Sequence, residues 1–301
     1  MHFKFFHTLE KDLEHEFRAL MVSGISAVGD KVEIGFASDF SGKPESDVAL
    51  FWGVNGPTRE IIDVYRAVGK RTLVFDKGAI RTRNRSDYNK VFLDGGTALA
   101  YLMRVDRLSD RWEKLGISLK PFKKSSGHII YANNSQKVHD YWRLGSADQM
   151  AESIIGKLKR IAPTREVVFR PKPRALDFRE IEGVRLSLRP DTIEDALDGA
   201  HCLVTYTSHC SINALIAGVP VICLGPNPGR PLAGKYLEQA LQPHTPGDRE
   251  RWQFFCNLAY AQWTDEEIRN GAVWEFLKSE MRATMPQNGE PLKPKKEGVM
   301  Q

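Results

Sequence analysis

Between Thr205 and Ser211 the chain reads TYTSHCS, so hydroxyls, an imidazole and a thiol crowd into seven positions. Ahead of them HCLVTY (201–206) is an apolar, β-branched run, and behind them a small-residue helix over 211–217 leads through Gly-Val-Pro into VPVICLG (219–225). Strand, polar turn, helix and strand make a βαβ crossover, and open parallel sheets bind their ligands beyond the carboxyl ends of the strands. The chemistry available there is anion binding. Thr207, Ser208 and Ser211 offer hydroxyl donors, the turn offers backbone N–H groups, and a diphosphate suits both. Upstream, VVFRPKPR (167–174) places two cations, Arg170 and Lys172, at the end of another strand. Neither GxxxxGK[ST] nor GxGxxG occurs, which excludes a P-loop and the dinucleotide fingerprint.

These residues need a parallel sheet to hold them, and the chain supplies its grammar. From Lys31 on, VEIGFA (32–37), DVALFWG (47–53), RTLVFD (71–76) and KVFLD (90–94) alternate with helical segments such as 57–68. The pattern continues with HIIYAN (128–133), an amphipathic helix over 146–160, EVVFRP (166–171), VRLSL (184–188) and a helix over 191–198. Asp191-Thr-Ile-Glu194 and Thr264-Asp-Glu-Glu267 read as helix starts. Two facing Rossmann-like α/β halves follow, 1–160 and 161–285, with a cleft near 160–165 and a flexible Pro-, Gly- and Lys-rich tail over 286–301. The aromatic segment Trp252 to Leu277 reads as a packed C-terminal helix pair.

The order of motifs carries a resemblance. ALFWGVN (49–55), VFDKGAIRT (74–82), KVFLDGG (90–96), VVFRPKPR (167–174) and TYTSHCSINALIAGVPVICLG (205–225) together resemble the capsule-polysaccharide glycosyltransferases of the Kdo-transferase type. That resemblance implies a GT-B enzyme: the C-terminal half holds a nucleotide-sugar donor at Arg170, Thr207, Ser208, His209, Ser211 and Asn213, and the N-terminal half holds the acceptor. A UDP-sugar is the expected donor. The chain departs from the family pattern at two motif positions, with Lys172 where the family has a histidine and Asn213 where it has an acid.

Glycosyl transfer also asks for a base on the acceptor hydroxyl. Asp76, at a strand end in the acceptor half, is the first choice, with His128 and Asp94 also at strand edges; Lys172 is assigned to the departing phosphate. The acceptor half is basic: residues 66–124 hold 15 Lys and Arg against 6 Asp and Glu, interleaved with aromatics. Arg81, Arg83, Arg85, Lys123 and Lys124 form runs able to track a phosphate backbone, so duplex DNA carrying a hydroxymethylated pyrimidine is the expected acceptor, as in viral DNA modification. A surface polysaccharide is the competing acceptor, and a non-catalytic nucleotide- or nucleic-acid-binding module is the alternative of another class. No HExxH or DxD spacing appears, and no metal is expected. Four cysteines without CxxC pairing read as packing thiols in a reducing compartment. No run reaches the roughly 18 apolar residues of a membrane span, and the N-terminus lacks a signal-peptide core, so the cytoplasm, that of the host if the protein is viral, is the expected location.

Overall fold

The computed structural model describes residues 1–7, 12–80, 88–95, 100–122, 126–172 and 178–284. Two compact units divide the chain, Met1–Val105 with the stretch from Tyr260 on, and Asp106–Ala259.

The first unit opens on an element the sequence pattern did not announce. β1 (His2–His7) is a buried strand from which α1 (Asp12–Ala27) leads to β2 (Lys31–Phe36). Then come β3 (Val48–Trp52), α2 (Gly56–Ala67), β4 (Arg71–Lys77) and β5 (Tyr88–Leu93). α2 starts where it does because Asn55 and Thr58 cap each other reciprocally, at 2.9 and 2.7 Å, with a proline in the first turn. β1 pairs parallel with β2 and β3, and β3 with β4, but β5 is antiparallel to β4. The connection 78–87 is too short for the crossover that a parallel return requires. Because β5 runs backwards, Asp94 at its end lies beside the start of β4, ion-paired with the buried Arg71 at 2.7 Å. Asp94 thus stands at the edge opposite Asp76 and serves the fold.

The second unit contains α3 (Asp110–Lys114), β6 (Ile129–Ala132), α4 (Gln136–Trp142), α5 (Ala147–Ile161), β7 (Val167–Arg170), β8 (Arg185–Leu186) and α6 (Ile193–Leu197). It continues with β9 (Cys202–Thr205), α7 (Cys210–Ile216), β10 (Val221–Cys223) and α8 (Asp248–Ala259). The sheet order is β10-β9-β6-β7-β8, with every pairing parallel. Counted along this unit alone that is fifth, fourth, first, second, third: the Rossmann arrangement. β6 is therefore the central strand of the second sheet. That pairing moves the boundary from the expected 160 to 105/106, because β6 and α5 cannot leave the sheet they build. α5 lays Ala151, Ile154, Ile155 and Leu158 against Ile129, Tyr131, Val167 and Phe169, the spacing of one apolar helix face.

From Tyr260 the chain rejoins the first unit. β11 (Gln262–Thr264) adds an antiparallel strand beside β5, and α9 (Asp265–Arg269) and α10 (Ala272–Ala283) follow. The aromatic segment expected as one helix pair is thus shared out. Phe255 of α8 packs on Trp112 in the second unit, with centroids 4.9 Å apart, whereas Trp274 of α10 packs on Phe75 and Phe3 in the first. Among the described residues no helix is long and apolar enough to cross a membrane.

Gly218 closes α7 at φ +73°, where a Cβ would stand 2.2 Å from the Pro121 carbonyl oxygen. Gly218→Ala is expected to cost about 2 kcal/mol or more, from the left-handed backbone together with the collision, read as a lowered urea midpoint at unchanged slope.

Candidate functional site

In the second sheet the chain leaves β6 towards β7 on one side and leaves β9 towards β10 on the other. The connections diverge between these two neighbouring strands, and the carboxyl ends at such a divergence are where open parallel sheets form their ligand crevice. Short polar side chains stitch it. Thr205 Oγ1 donates to the Ala132 carbonyl at 2.7 Å and accepts from the Ser208 amide at 3.2 Å. The Thr207 amide donates to Asn134 Oδ1 at 3.2 Å. Asn134 was not foreseen, although two asparagines directly after an apolar strand were the signal for it.

The hydroxyls of the turn have separate duties. Ser211 is fully buried and donates to Asn227 Oδ1 at 2.6 Å; Asn227 in turn accepts from the Gly229 amide and donates to the Ser208 carbonyl. Ser211 is thus a strut between the turn and the loop after β10, whereas it was expected to face the ligand. Ser208 is half-buried, and its Oγ accepts from the Cys210 amide, which leaves its own proton to donate. Thr207 is 4% exposed at the same turn. His209 stands half-buried at the start of α7.

Arg170 ends β7, beside β6, and is 5% exposed. Its Nη1 donates to Ser187 Oγ at 2.6 Å and its Nη2 to the Asp191 carbonyl at 3.2 Å, while Nε has no partner. These acceptors are neutral, and no carboxylate lies within ion-pair distance among the described residues. A buried charge held by neutral dipoles alone is costly, by several kcal/mol on the order of the general penalty. Lys172, two residues on, is exposed. Asn213 donates from Nδ2 to Glu194 Oε1 at 3.1 Å, so a carboxylate does stand at this position, contributed by α6. The sequence pattern had used Glu194 as part of a capping motif, but the cap is Thr192, whose box partner is Asp195.

One other expected residue lies at the far end of this sheet, and another belongs to the first unit. His128 precedes β6, at the amino edge of the sheet, about 16 Å along the strand from Asn133. Its Nε2 bonds the Ala196 carbonyl at 2.9 Å, and parallel strands hold such a residue away from the carboxyl ends. Asp76 belongs to the first unit, at the carboxyl end of β4. Lys90, fully buried, donates to its Oδ2 at 2.9 Å, the Lys77 amide to its Oδ1 at 2.8 Å, and its side chain remains 44% exposed. Lys77 sits 5.5 Å over the Trp52 ring at the same edge. Arg81, Arg83, Arg85, Lys123 and Lys124 lie outside the described residues. Among those described, no three His, Cys, Asp or Glu are grouped to hold a metal ion. Burial pushes the Cys202 thiol up to about 12 and raises that of Cys223 further, as befits packing thiols.

No family model matches the chain, and no curated protein matches it in sequence. Two solved structures share its fold almost end to end. Thermosulfurimonas dismutans KpsC, beta Kdo 2,4 transferase, aligns over 93% of this chain and 98% of its own, with a TM-score of 0.56 at 13% identity. The beta Kdo 2,7 transferase of the same KpsC aligns over 92% and 99%, with a TM-score of 0.52 at 15% identity. At such identities the likeness is one of fold. It defines the class: a mixed α/β chain of the GT-B type, with two Rossmann-like units, as the motif order implied.

The two serines of the turn are expected to separate in their effects. Ser211→Ala leaves Asn227 short of a buried partner and should lower stability by about 1–3 kcal/mol. Ser208→Ala, which gives up only one partly exposed bond, should stay within about 1 kcal/mol of the parent. Denaturant melts of both variants check this, and equal losses would contradict it.

Proposed function

We propose that the protein is a glycosyltransferase that takes its sugar from a nucleotide-sugar donor, with the donor phosphates at the carboxyl edge of the second sheet. The observation that carries this reading is Arg170: a buried guanidinium without a balancing carboxylate among the described residues, at the carboxyl edge of a Rossmann-order sheet. A diphosphate supplies the missing negative charge, and the Thr207–Ser208 turn supplies donors for its oxygens. Glu194 and Asn213 together offer acceptors to ribose hydroxyls. In the transfer, the acceptor oxygen bonds to the anomeric carbon as the bond from that carbon to the phosphate oxygen breaks. The electron pair leaves with the nucleoside diphosphate, whose growing charge Arg170 and Lys172 offset. The acceptor's proton goes to Asp76, which the first unit holds on Lys90. A UDP-sugar is the donor of choice.

For the acceptor we favour DNA with a hydroxymethylated pyrimidine, on the strength of the 15 cations among residues 66–124, of which Arg71 and Lys90 are buried in ion pairs and drop out of the count. The target base would leave its stack to react. A surface polysaccharide is the second reading, supported by the likeness to two Kdo transferases. Radiolabelled nucleotide sugars offered to hydroxymethylated duplex, ordinary duplex and capsule-type glycans distinguish them. Label in the modified duplex alone is the expected result, and label in the glycan alone replaces DNA by polysaccharide. Nucleotide binding without transfer to any acceptor leaves a binding module. Lys172→Ala is expected to lower turnover more than it raises the apparent donor constant; a change in donor affinity alone would make Lys172 a binding group.

A further inference from the structure

Arg170 is held by few bonds, and what would compete for it lies close by. Its anchors Ser187 and Asp191 both line a cavity of about 350 Å³ in the second unit, whose wall also carries Asp195, Asp198, His128 and Arg185, the last already ion-paired with Glu166. Ser187 is 3% exposed, and its Oγ accepts the shortest of the guanidinium's hydrogen bonds, 2.6 Å. Asp191 engages Arg170 through its backbone carbonyl at 3.2 Å. Its carboxylate has no hydrogen bond or ion pair among the described residues, whereas that of Asp195 is occupied by the Thr192 cap. The cavity adjoins both anchors of the guanidinium, which gives the side chain room to turn towards Asp191 once the Ser187 bond is lost. Attraction between opposite charges favours movement towards Asp191, and that movement would cancel the charge the phosphates need.

We propose that Ser187 is a positioning residue that keeps the Arg170 guanidinium available to an anionic ligand and out of the grasp of the Asp191 carboxylate. The proposal rests on the reading that Arg170 meets the donor's phosphates. Ser187 touches no ligand itself. It acts through a charge-assisted hydrogen bond whose loss costs the ligand both the tether and the unbalanced charge.

The test is calorimetric titration of the full chain with UDP, with inorganic pyrophosphate as a probe without a base and uridine as a probe without phosphate. Ser187→Ala should weaken UDP and pyrophosphate about tenfold or more, the worth of one hydrogen bond to a charged group, and leave uridine unchanged. Ser187→Thr, which retains the hydroxyl, should bind like the parent. Combining Ser187→Ala with Arg170→Met should weaken UDP no further than Arg170→Met alone. Asp191→Asn placed on Ser187→Ala should recover at least half of the loss. Equal weakening of uridine, additive losses in the double variant, parental affinity of Ser187→Ala or no recovery with Asp191→Asn would each overturn the proposal. Unchanged UDP affinity in Arg170→Met, or a parent that binds neither UDP nor pyrophosphate, would instead remove the donor reading on which it rests.

Discussion

The second sheet is built around one reversal. Its first strand, β6, has the second strand on one side and the fourth on the other, so the chain leaves β6 and β9 in opposite directions. Backbone groups at the ends of two adjacent strands then lack the neighbour that a continuing ladder would give them, and buried N–H and C=O groups must be partnered somehow. Thr205 and Asn134 meet part of that demand by bonding across the gap, to the Ala132 carbonyl and from the Thr207 amide. With the Thr207 and Ser208 amides paired, what they leave over is the pair of hydroxyls on those residues. The same constraint that fixes the topology therefore creates the place where a ligand's oxygens fit.

The same edge of the sheet carries an unbalanced charge at the end of β7. Among the described residues the other buried cations face carboxylates: Arg71 has Asp94 at 2.7 Å, Lys90 has Asp76 at 2.9 Å, Lys278 has Asp30 at 2.9 Å and Arg251 has Asp248 at 3.5 Å. Arg170 is buried too, at 5% exposed, and is given a serine hydroxyl and two carbonyls. A chain selected only for stability would place an acid beside it or an apolar residue in its stead, since unpaired buried charge lowers stability. Its retention at the carboxyl edge of the sheet that also carries the turn of hydroxyls is the arrangement expected where binding energy is reserved for an anion.

Much of this was legible in the sequence, for definite reasons. Apolar runs such as VVF and CLVT, bounded by polar turns, mark buried parallel strands, and the five strands of the second sheet stand where that pattern puts them. The crowded turn before α7 was legible because strand, turn and helix are contiguous. What depended on distant partners was not. HFKFFH looks like an unremarkable start until β2 and β3 flank it, and QWT becomes β11 only because β5 presents an open edge. Ser211 looks like its neighbour Ser208 in sequence, but burial against Asn227 gives it another task. Glu194 reaches Asn213 from another helix, and His128 sits at the wrong end of a strand whose direction periodicity alone does not give. Spacing along the chain names the strands; which of their ends carries chemistry is decided by how they pair.

The central claim is that the nucleotide's phosphates occupy the carboxyl edge of the second sheet. Backbone amide resonances followed during titration with UDP locate them directly. The account predicts the largest shifts at Asn134, Thr207 and Ser208, with the Arg170 side-chain Nε–H resonance moving in step, and still occurring when pyrophosphate replaces UDP. Shifts centred instead on the amino edge, at His128, Glu166 and His201, or confined to the first unit, would contradict it.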